Sequence, residues 1–85
     1  MDLNTQFENA VKESKTLAEK PSNEILLQLY SLFKQATEGD ATGDGPDNPF
    51  DFVAKAKHNA WSELKGKSQD VAKEEYVALV NKLKN

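Results

Sequence analysis

The sequence contains no cysteine, so it offers no disulfide bond, no thiolate nucleophile and no sulfur ligand for a metal. It also contains a single histidine, His58, which argues against a histidine-based metal site. No serine or paired acid is obviously placed to use His58 as a catalytic base. We therefore expect no catalytic residue, no bound metal and no cofactor, and a domain held together by packing alone.

Long hydrophobic runs and a surplus of positive charge are also missing. No apolar run approaches the roughly 20 residues that span a bilayer, and residues 1–8 are acidic and polar, unlike an export signal. The formal net charge of −3 argues against nucleic-acid binding, which depends on a basic surface. We expect a soluble, cytoplasmic protein with no stable membrane insertion, for which transient membrane contact stays open.

The residues that are present indicate one ordinary globular domain over residues 1–85. The chain is 38% hydrophobic and 29% charged, a composition that can build a core. Four stretches show helical periodicity, and none shows the strict alternation of a half-buried strand.

Helix 1 is predicted to begin at a capping box formed by Thr5 and Glu8. It should end before Pro21, because the residue ahead of a proline is pushed out of the helical region. Its apolar face is formed by residues at three- and four-residue spacing: Leu3, Phe7, Ala10, Val11 and Leu17.

Helix 2 is predicted to begin at Ser22 or Asn23, both good N-caps, and to run to Glu38, where Gly39 stops it. One apolar face of this helix is expected to enter the core. Its residues are Ile25, Leu29, Leu32 and Ala36.

A second strip on helix 2 carries more apolar residues than the core needs, namely Leu26, Leu27, Tyr30 and Phe33, together with Lys34. Tyr30 and Lys34 lie one turn apart on one face, so a hydroxyl and an ammonium could both reach an anionic group. The residues alone leave open the alternative of a half-buried aromatic ring beside a solvated lysine.

Residues 39–49 include three glycines and two prolines and are predicted to form a long irregular connector. Helix 3 should then begin with Asn48 as N-cap and Asp51 in its first turn, and end at Gly66. Helix 4 should be capped near Ser68. Its apolar face is Ala72, Tyr76, Leu79, Val80 and Leu83.

Helix 3 repeats the combination of a cation and an aromatic ring. Lys57 lies one turn before Trp61, among small residues that let another surface approach closely. From spacing alone, we interpret Trp61 as a core anchor and the lysines of this helix as solvated.

Four amphipathic helices in 85 residues can bury their apolar faces only against each other. The predicted fold class is therefore all-α, a four-helix bundle with a long loop between helices 2 and 3. Such a loop lets two neighbouring helices run in the same direction, so the bundle need not be a simple up-down-up-down arrangement.

The connector also contains a pattern similar to a calcium-binding loop. The twelfth ligand would be Asp51 rather than the longer bidentate glutamate, and Pro46 and Pro49 constrain the loop, so we expect no calcium site. Aspartate and glycine are common in loops for conformational reasons alone. The pattern consists of Asp40, Thr42, Asp44, Gly45, Asn48 and Asp51.

Two runs of the sequence closely resemble the acyl-CoA-binding protein family. They are YSLFKQATEGD at Tyr30–Asp40 and KAKHNAW at Lys55–Trp61, the latter followed by LKG at Leu64–Gly66. The likeness extends from Phe7 to Tyr76 and so covers almost the whole chain. It implies an up-down-down-up four-helix bundle whose ligand is a long-chain acyl-CoA.

The resemblance also implies which residues contact the ligand, and where the chain departs from the family. Phe33 stands where a second tyrosine is usual, His58 where tryptophan is frequent, and Val53 where lysine is common. The implied head-group residues are Lys15, Tyr30, Phe33, Lys34, Lys57 and Tyr76, and the implied acyl-chain residues are Ala10, Leu26 and Leu27.

The implied function is non-catalytic binding, intracellular transport and pool buffering of medium- to long-chain acyl-CoA thioesters by a monomer. The alternative is a helical interaction module whose exposed strip docks a partner helix. An acyl carrier protein would need a serine preceded by aspartate at a helix start. No serine of the chain is so placed: Ser14, Ser22, Ser31, Ser62 and Ser68.

Overall fold

The computed structural model of the chain describes residues 2–41 and 50–84, and these contain four helices and no β-strand. The helices are α1 (Leu3–Ser14), α2 (Asn23–Glu38), α3 (Phe52–Ser62) and α4 (Gln69–Lys84). The predicted all-α class is thereby confirmed. Within this described part of the chain, no helix is both long enough and apolar enough to cross a bilayer.

Helix α1 begins one turn earlier than predicted. The carboxylate of Asp2 accepts a hydrogen bond from the backbone N–H of Thr5 at 2.8 Å, which makes Asp2 the N-cap and lowers its pKa below the ordinary value. The predicted capping box of Thr5 and Glu8 is therefore wrong, because Thr5 already lies inside the helix. The helix ends at Ser14, so Leu17, which is predicted for its apolar face, lies beyond it.

Both ends of α2 lie where the sequence predicts them. The hydroxyl of Ser22 accepts a hydrogen bond from the backbone N–H of Ile25 at 3.3 Å. Gly39 follows the last helical residue with a φ of 82°, a conformation that glycine adopts at little cost because it has no Cβ.

Helix α3 begins with Asp51 as its N-cap, and the carboxylate of Asp51 accepts a hydrogen bond from the N–H of Ala54 at 3.0 Å. The prediction that Asp51 lies within the first helical turn is therefore wrong, while the predicted N-cap Asn48 lies outside the described residues. The helix ends at Ser62 rather than at Gly66, which lies in the following turn with a φ of 94°.

Helix α4 is capped by Ser68, as predicted. The Ser68 hydroxyl accepts a hydrogen bond from the backbone N–H of Val71 at 3.1 Å. At the other end, Lys82 and Lys84 lie in the last turn, where positive charge is favoured by the negative end of the helix dipole.

The buried core is formed by α1, α2 and α4. Helix α3 contributes no buried residue, so the interpretation of Trp61 as a core anchor is wrong. Trp61 is half-buried, and its indole N–H donates a hydrogen bond to the carbonyl of Gly39 at 2.8 Å. The buried apolar residues are Phe7, Ala10, Leu29, Leu32, Ala36, Ala72, Tyr76 and Val80.

The end of α2 is tied to the turn between α3 and α4. The fully buried side-chain amide of Gln35 donates to the Asp40 carboxylate at 2.8 Å and to the Lys67 carbonyl at 2.7 Å. The same Asp40 oxygen accepts from the Gly66 backbone N–H at 2.9 Å. The hydrogen bond from Gly66, followed by that from Gln35, lowers the pKa of Asp40 below its ordinary value. We call these four residues the latch.

Contacts along α4 define the direction of its neighbours. Near the helix starts, the Lys73 ammonium donates to the Asn4 amide oxygen at 2.7 Å, and near the helix ends Lys84 forms an ion pair with Glu13. Helices α1 and α4 therefore run parallel. Helix α2 packs against α4 with its end at the start of α4, where the latch lies, so these two helices run antiparallel.

Helices α2 and α3 run in the same direction. The Lys57 ammonium lies over the ring of Tyr30, and one turn further along both helices the Lys34 ammonium lies over the ring of Trp61. The order is therefore up-down-down-up. The end of α2 and the start of α3 therefore lie at opposite ends of the bundle.

Candidate functional site

A cavity of about 300 Å³ opens between α1, α2 and α4, at the lower end of the range for ligand pockets. It brings together five of the residues that the sequence predicts for the site: Lys15, Leu26, Tyr30, Phe33 and Tyr76. We call it the tyrosine cavity. Its remaining lining residues are Val11, Ser14 and Leu29.

Two lysine–aromatic contacts join α2 to α3 beside this cavity. The Lys57 ammonium lies 5.3 Å from the ring centroid of Tyr30, and the Lys34 ammonium lies 5.0 Å from that of Trp61. An ammonium over a ring face is attracted by the negative face of the aromatic quadrupole. The two contacts place both cations along one line between α2 and α3, which we call the lysine seam (Tyr30, Lys34, Lys57 and Trp61).

Lys34 also forms an ion pair with Glu38, one turn later in α2. The hydrogen bond that its ammonium donates to Glu38 raises the pKa of Lys34 above the ordinary value, against the opposing effect of partial burial. Lys34 is therefore positively charged at neutral pH, and an anion that binds it has to compete with Glu38.

Tyr76 forms part of the floor of the tyrosine cavity. It is 4% exposed, and its hydroxyl donates a hydrogen bond to the Ser14 hydroxyl at 3.1 Å, which in turn donates to the Val11 carbonyl at 2.7 Å. Its ring packs against those of Phe7 and Phe33, with centroids 5.2 and 6.4 Å away. Tyr76 is therefore held rigidly by the core, with its hydroxyl already satisfied.

A second cavity, of about 360 Å³, lies between the first turns of α2 and α3. Leu27 lines it, and so does Leu26, which is therefore part of the lining of both cavities. We call it the leucine cavity. Phe52 and Val53 lie at its rim and are 72% and 66% exposed, so its mouth is apolar. Asn23 and Ala56 complete the lining.

Ala10 is the predicted site residue that the structure keeps apart from the others. It is 3% exposed in the core and lines neither the tyrosine cavity nor the leucine cavity. Contact between Ala10 and an acyl chain therefore stays a prediction.

Sequence reasoning missed two lining residues on α3 and the position of Trp61 in the lysine seam. Phe52 and Ala56 lie one turn apart and both line the leucine cavity. Their helical spacing was a usable signal, because α3 has no continuous core face that would otherwise account for them. Ser14 gave no such signal, since only the position of Tyr76 brings their hydroxyls together.

A third cavity, of about 700 Å³, adjoins the tyrosine cavity and shares Val11, Lys15 and Phe33 with it. Two further lysines, Lys12 and Lys73, line it together with one acidic residue, Glu8. Cationic groups therefore lie on both sides of the tyrosine cavity, although the chain as a whole carries a net charge of −3.

Groups suited to metal binding do not come together in residues 2–41 and 50–84. His58 is half-buried, with its ring 6.3 Å from that of Trp61 in an edge-on orientation. Most of the calcium-like pattern falls within residues 42–49, outside the described residues. The expectation that this loop binds no calcium therefore stays a prediction.

Comparison with known proteins gives a match to a family model described as acyl CoA binding protein, over residues 4–80. Among curated proteins, the chain is 49% identical to acyl-CoA-binding protein homolog 1 of Caenorhabditis elegans, over 95% of this chain and 93% of that protein. Among solved structures, it is similar to acyl-CoA-binding protein 2 of Oryza sativa, with a TM-score of 0.89 and 38% identity over 96% of this chain and 90% of the other.

The chain is also similar to part of a much longer protein. It is 48% identical to enoyl-CoA delta isomerase 2 of Rattus norvegicus over 91% of this chain, but it spans only 19% of that protein. The likeness therefore concerns one small region of the isomerase and carries no isomerase activity over to this chain.

Proposed function

Because this chain belongs to the acyl-CoA-binding protein family, we propose that it binds medium- to long-chain acyl-CoA thioesters reversibly, transports them and buffers their pool without reacting with them. Binding of this kind needs complementarity to the ligand as it stands and no stabilised transition state. The alternative of a module that docks a partner helix is not favoured by these relatives.

The observation that carries the proposal is that a line of cations lies beside two apolar cavities that share Leu26. The lysine seam places the ammonium groups of Lys34 and Lys57 next to Tyr30, which lines the tyrosine cavity. Leu26 lines both this cavity and the leucine cavity, and both are mainly apolar. An acyl-CoA has the same two-part character, with an anionic nucleotide at one end and a hydrocarbon chain at the other. A ligand lying across Leu26 would meet matching chemistry at both ends.

The head-group part of the proposal rests on the lysine seam and the tyrosine cavity. Lys34 and Lys57 would bind phosphate oxygens, with Lys15 adding a third cation at the rim of the cavity. Tyr30 and Phe33 would offer ring surface to the nucleotide base. For the remaining head-group residue, Tyr76, we propose contact through the edge of its ring, because its hydroxyl is already bonded to the Ser14 hydroxyl.

The acyl chain would lie against Leu26 and Leu27 and continue towards the rim formed by Phe52 and Val53. Burial of a methylene contributes about 0.8 kcal/mol, so a dozen methylenes contribute on the order of 10 kcal/mol before the cost of ordering the chain. Ala10, also predicted for this role, would be reached only by a chain that extends into the core. The acyl chain would therefore supply most of the affinity, and the head group most of the orientation.

The finer parts of the proposal concern the state of the protein in the cell. We propose that residues 1–85 act as one binding domain, that the protein is a cytoplasmic monomer, and that it binds no nucleic acid and inserts stably into no membrane. Native mass spectrometry of protein purified from its own cells would test this together with the ligand, since it reports the number of chains and any bound acyl-CoA in one spectrum.

Calorimetry with palmitoyl-CoA, free CoA and palmitate tests the proposed function. We expect palmitoyl-CoA to bind at least about a hundredfold more tightly than either part, because only the whole ligand fills both cavities, and each tenfold requires only about 1.4 kcal/mol. Equal or tighter binding of free palmitate would contradict the proposal, as it would show that the lysine seam contributes nothing.

A further inference from the structure

Glu38 is the acidic residue closest to the lysine seam for which the structure records an ion pair. It lies at the last position of α2, and its carboxylate accepts a hydrogen bond from the Lys34 ammonium. Lys57, the other cation of the seam, has no carboxylate within ion-pair distance in the described ranges 2–41 and 50–84. The charge of Lys34 is therefore offset by Glu38 on the same helix, whereas the charge of Lys57 has no such partner among the described residues.

Three features make the pair of Lys34 with Glu38 easy to exchange. The Glu38 side chain is 52% exposed and that of Lys34 is 25% exposed, so both charges are hydrated and their attraction is screened. Glu38 also lies at the end of α2, where the helix dipole disfavours negative charge. In addition, a lysine that precedes a glutamate by four residues is in the weaker of the two orders for such a helical pair.

Lys34 also contacts Trp61, and the position of that ring is fixed by a group other than Glu38. The Lys34 ammonium lies 5.0 Å from the Trp61 centroid, and the Trp61 indole is fixed by its hydrogen bond to the carbonyl of Gly39. The ring therefore holds Lys34 in the seam while one N–H of its ammonium donates to the Glu38 carboxylate. Loss of the carboxylate would leave Lys34 in place with an ammonium N–H available to another anion.

We propose that Glu38 is an internal competitor for the phosphate that Lys34 binds, so that it sets an upper limit on the affinity for the anionic head group. This inference rests on the proposed function and adds a residue that regulates the same site. When ligand binds, the phosphate replaces the Glu38 carboxylate on Lys34, and the released carboxylate remains close enough to repel it. Both effects weaken binding without affecting the acyl chain.

The substitution Glu38→Gln tests the proposal, because glutamine keeps the size of the side chain and removes its charge. Glu75→Gln is the matched control, since it also removes one charge from a lysine–glutamate ion pair of similar exposure, that of Lys67 with Glu75, away from the two cavities. We expect calorimetry at low salt to show palmitoyl-CoA binding roughly two- to fivefold more tightly to Glu38→Gln than to wild type, with Glu75→Gln unchanged.

The same comparison at high salt separates competition from a structural effect. A gain in affinity that is electrostatic should shrink in about 1 M salt, where the Debye length falls to about 3 Å. A gain in affinity that comes from altered packing would persist. A gain that is independent of salt would overturn the proposal, as would equal binding by the two variants. If wild-type protein fails to bind palmitoyl-CoA, the proposed function itself is wrong and this inference fails with it; if wild type binds, the variants test the inference alone.

Discussion

At the scale of single residues, Lys55 and Lys57 lie two positions apart on α3 and both are exposed, yet only Lys57 belongs to the lysine seam. The ammonium of Lys57 lies over the Tyr30 ring and so faces the site, whereas within residues 2–41 and 50–84 no ion pair or ring contact joins the Lys55 side chain to the seam. Successive helical positions point about 100° apart, so two residues along the helix turn a lysine from the seam towards solvent. Residue type alone therefore does not define a binding lysine.

The expected consequence is that Lys57→Ala weakens palmitoyl-CoA binding about tenfold, through loss of a charge-assisted contact to a phosphate. Lys55→Ala, which removes the same charge from the same helix, should change binding less than about twofold. Titration calorimetry of both variants, with circular dichroism to check helicity, measures this. An equal loss of affinity in Lys57→Ala and Lys55→Ala would mean that the overall charge of the protein, rather than the lysine seam, attracts the ligand.

At the scale of elements, α2 contributes residues to both the buried core and the candidate site. Leu29, Leu32 and Ala36 are buried against the bundle, while Tyr30 and Lys34 contact α3 and Tyr30 also lines the tyrosine cavity. The helix therefore packs on α4 with one face and on α3 with another. Any change that frays α2 should affect stability and binding together.

The N-cap of α2 offers a direct test of this element. In Ser22→Ala, the N–H of Ile25 loses its hydroxyl acceptor, which should cost about 1 kcal/mol and lower the melting temperature by roughly 4–8 °C in a chain of this size. Ser62→Ala is the control, because Ser62 is exposed at the end of α3 and caps no helix start. Thermal denaturation followed by circular dichroism would contradict the assignment if both variants melted together.

At the scale of the whole molecule, the latch joins α2 to the start of α4 through a carboxylate. Asp40 accepts hydrogen bonds from Gly66 and Gln35, and its pKa is lowered from the ordinary value of 3.8, principally by the bond from Gly66. A carboxyl whose pKa falls on folding stabilises the fold above its unfolded pKa. This contribution disappears as the pH falls through the lower, folded pKa.

We therefore expect acid to destabilise the wild-type protein more than the variant Asp40→Asn, which keeps an acceptor oxygen but cannot be titrated. Melting temperatures measured from about pH 5 to about pH 2 should fall less steeply for Asp40→Asn. Glu74→Gln, at an exposed position on α4, should follow wild type. The prediction is wrong if Asp40→Asn and wild type show the same slope.

The predictable parts of the fold are those with local causes. Ser22 and Gly39 define α2 because a hydroxyl N-cap and a residue that tolerates positive φ act within one turn. The predicted start of α1 is wrong although its cause is equally local: aspartate is the better N-cap, but the capping-box spacing of Thr5 and Glu8 favours the later start. Gln35 could not be predicted to be fully buried, because its partner Lys67 lies 32 residues further along the chain.

The sequence by itself determined the four helices, the faces of α2 and α4, and, through the runs at Tyr30–Asp40 and Lys55–Trp61, the resemblance to a family of acyl-CoA carriers. Helical periodicity and motif spacing are properties of neighbouring residues, so they can be read along the chain. Only the tertiary structure decided that Lys57 meets Tyr30, that Lys34 meets Trp61, and that Leu26 lines two cavities. Those relations depend on the parallel packing of α2 and α3, which no local pattern specifies.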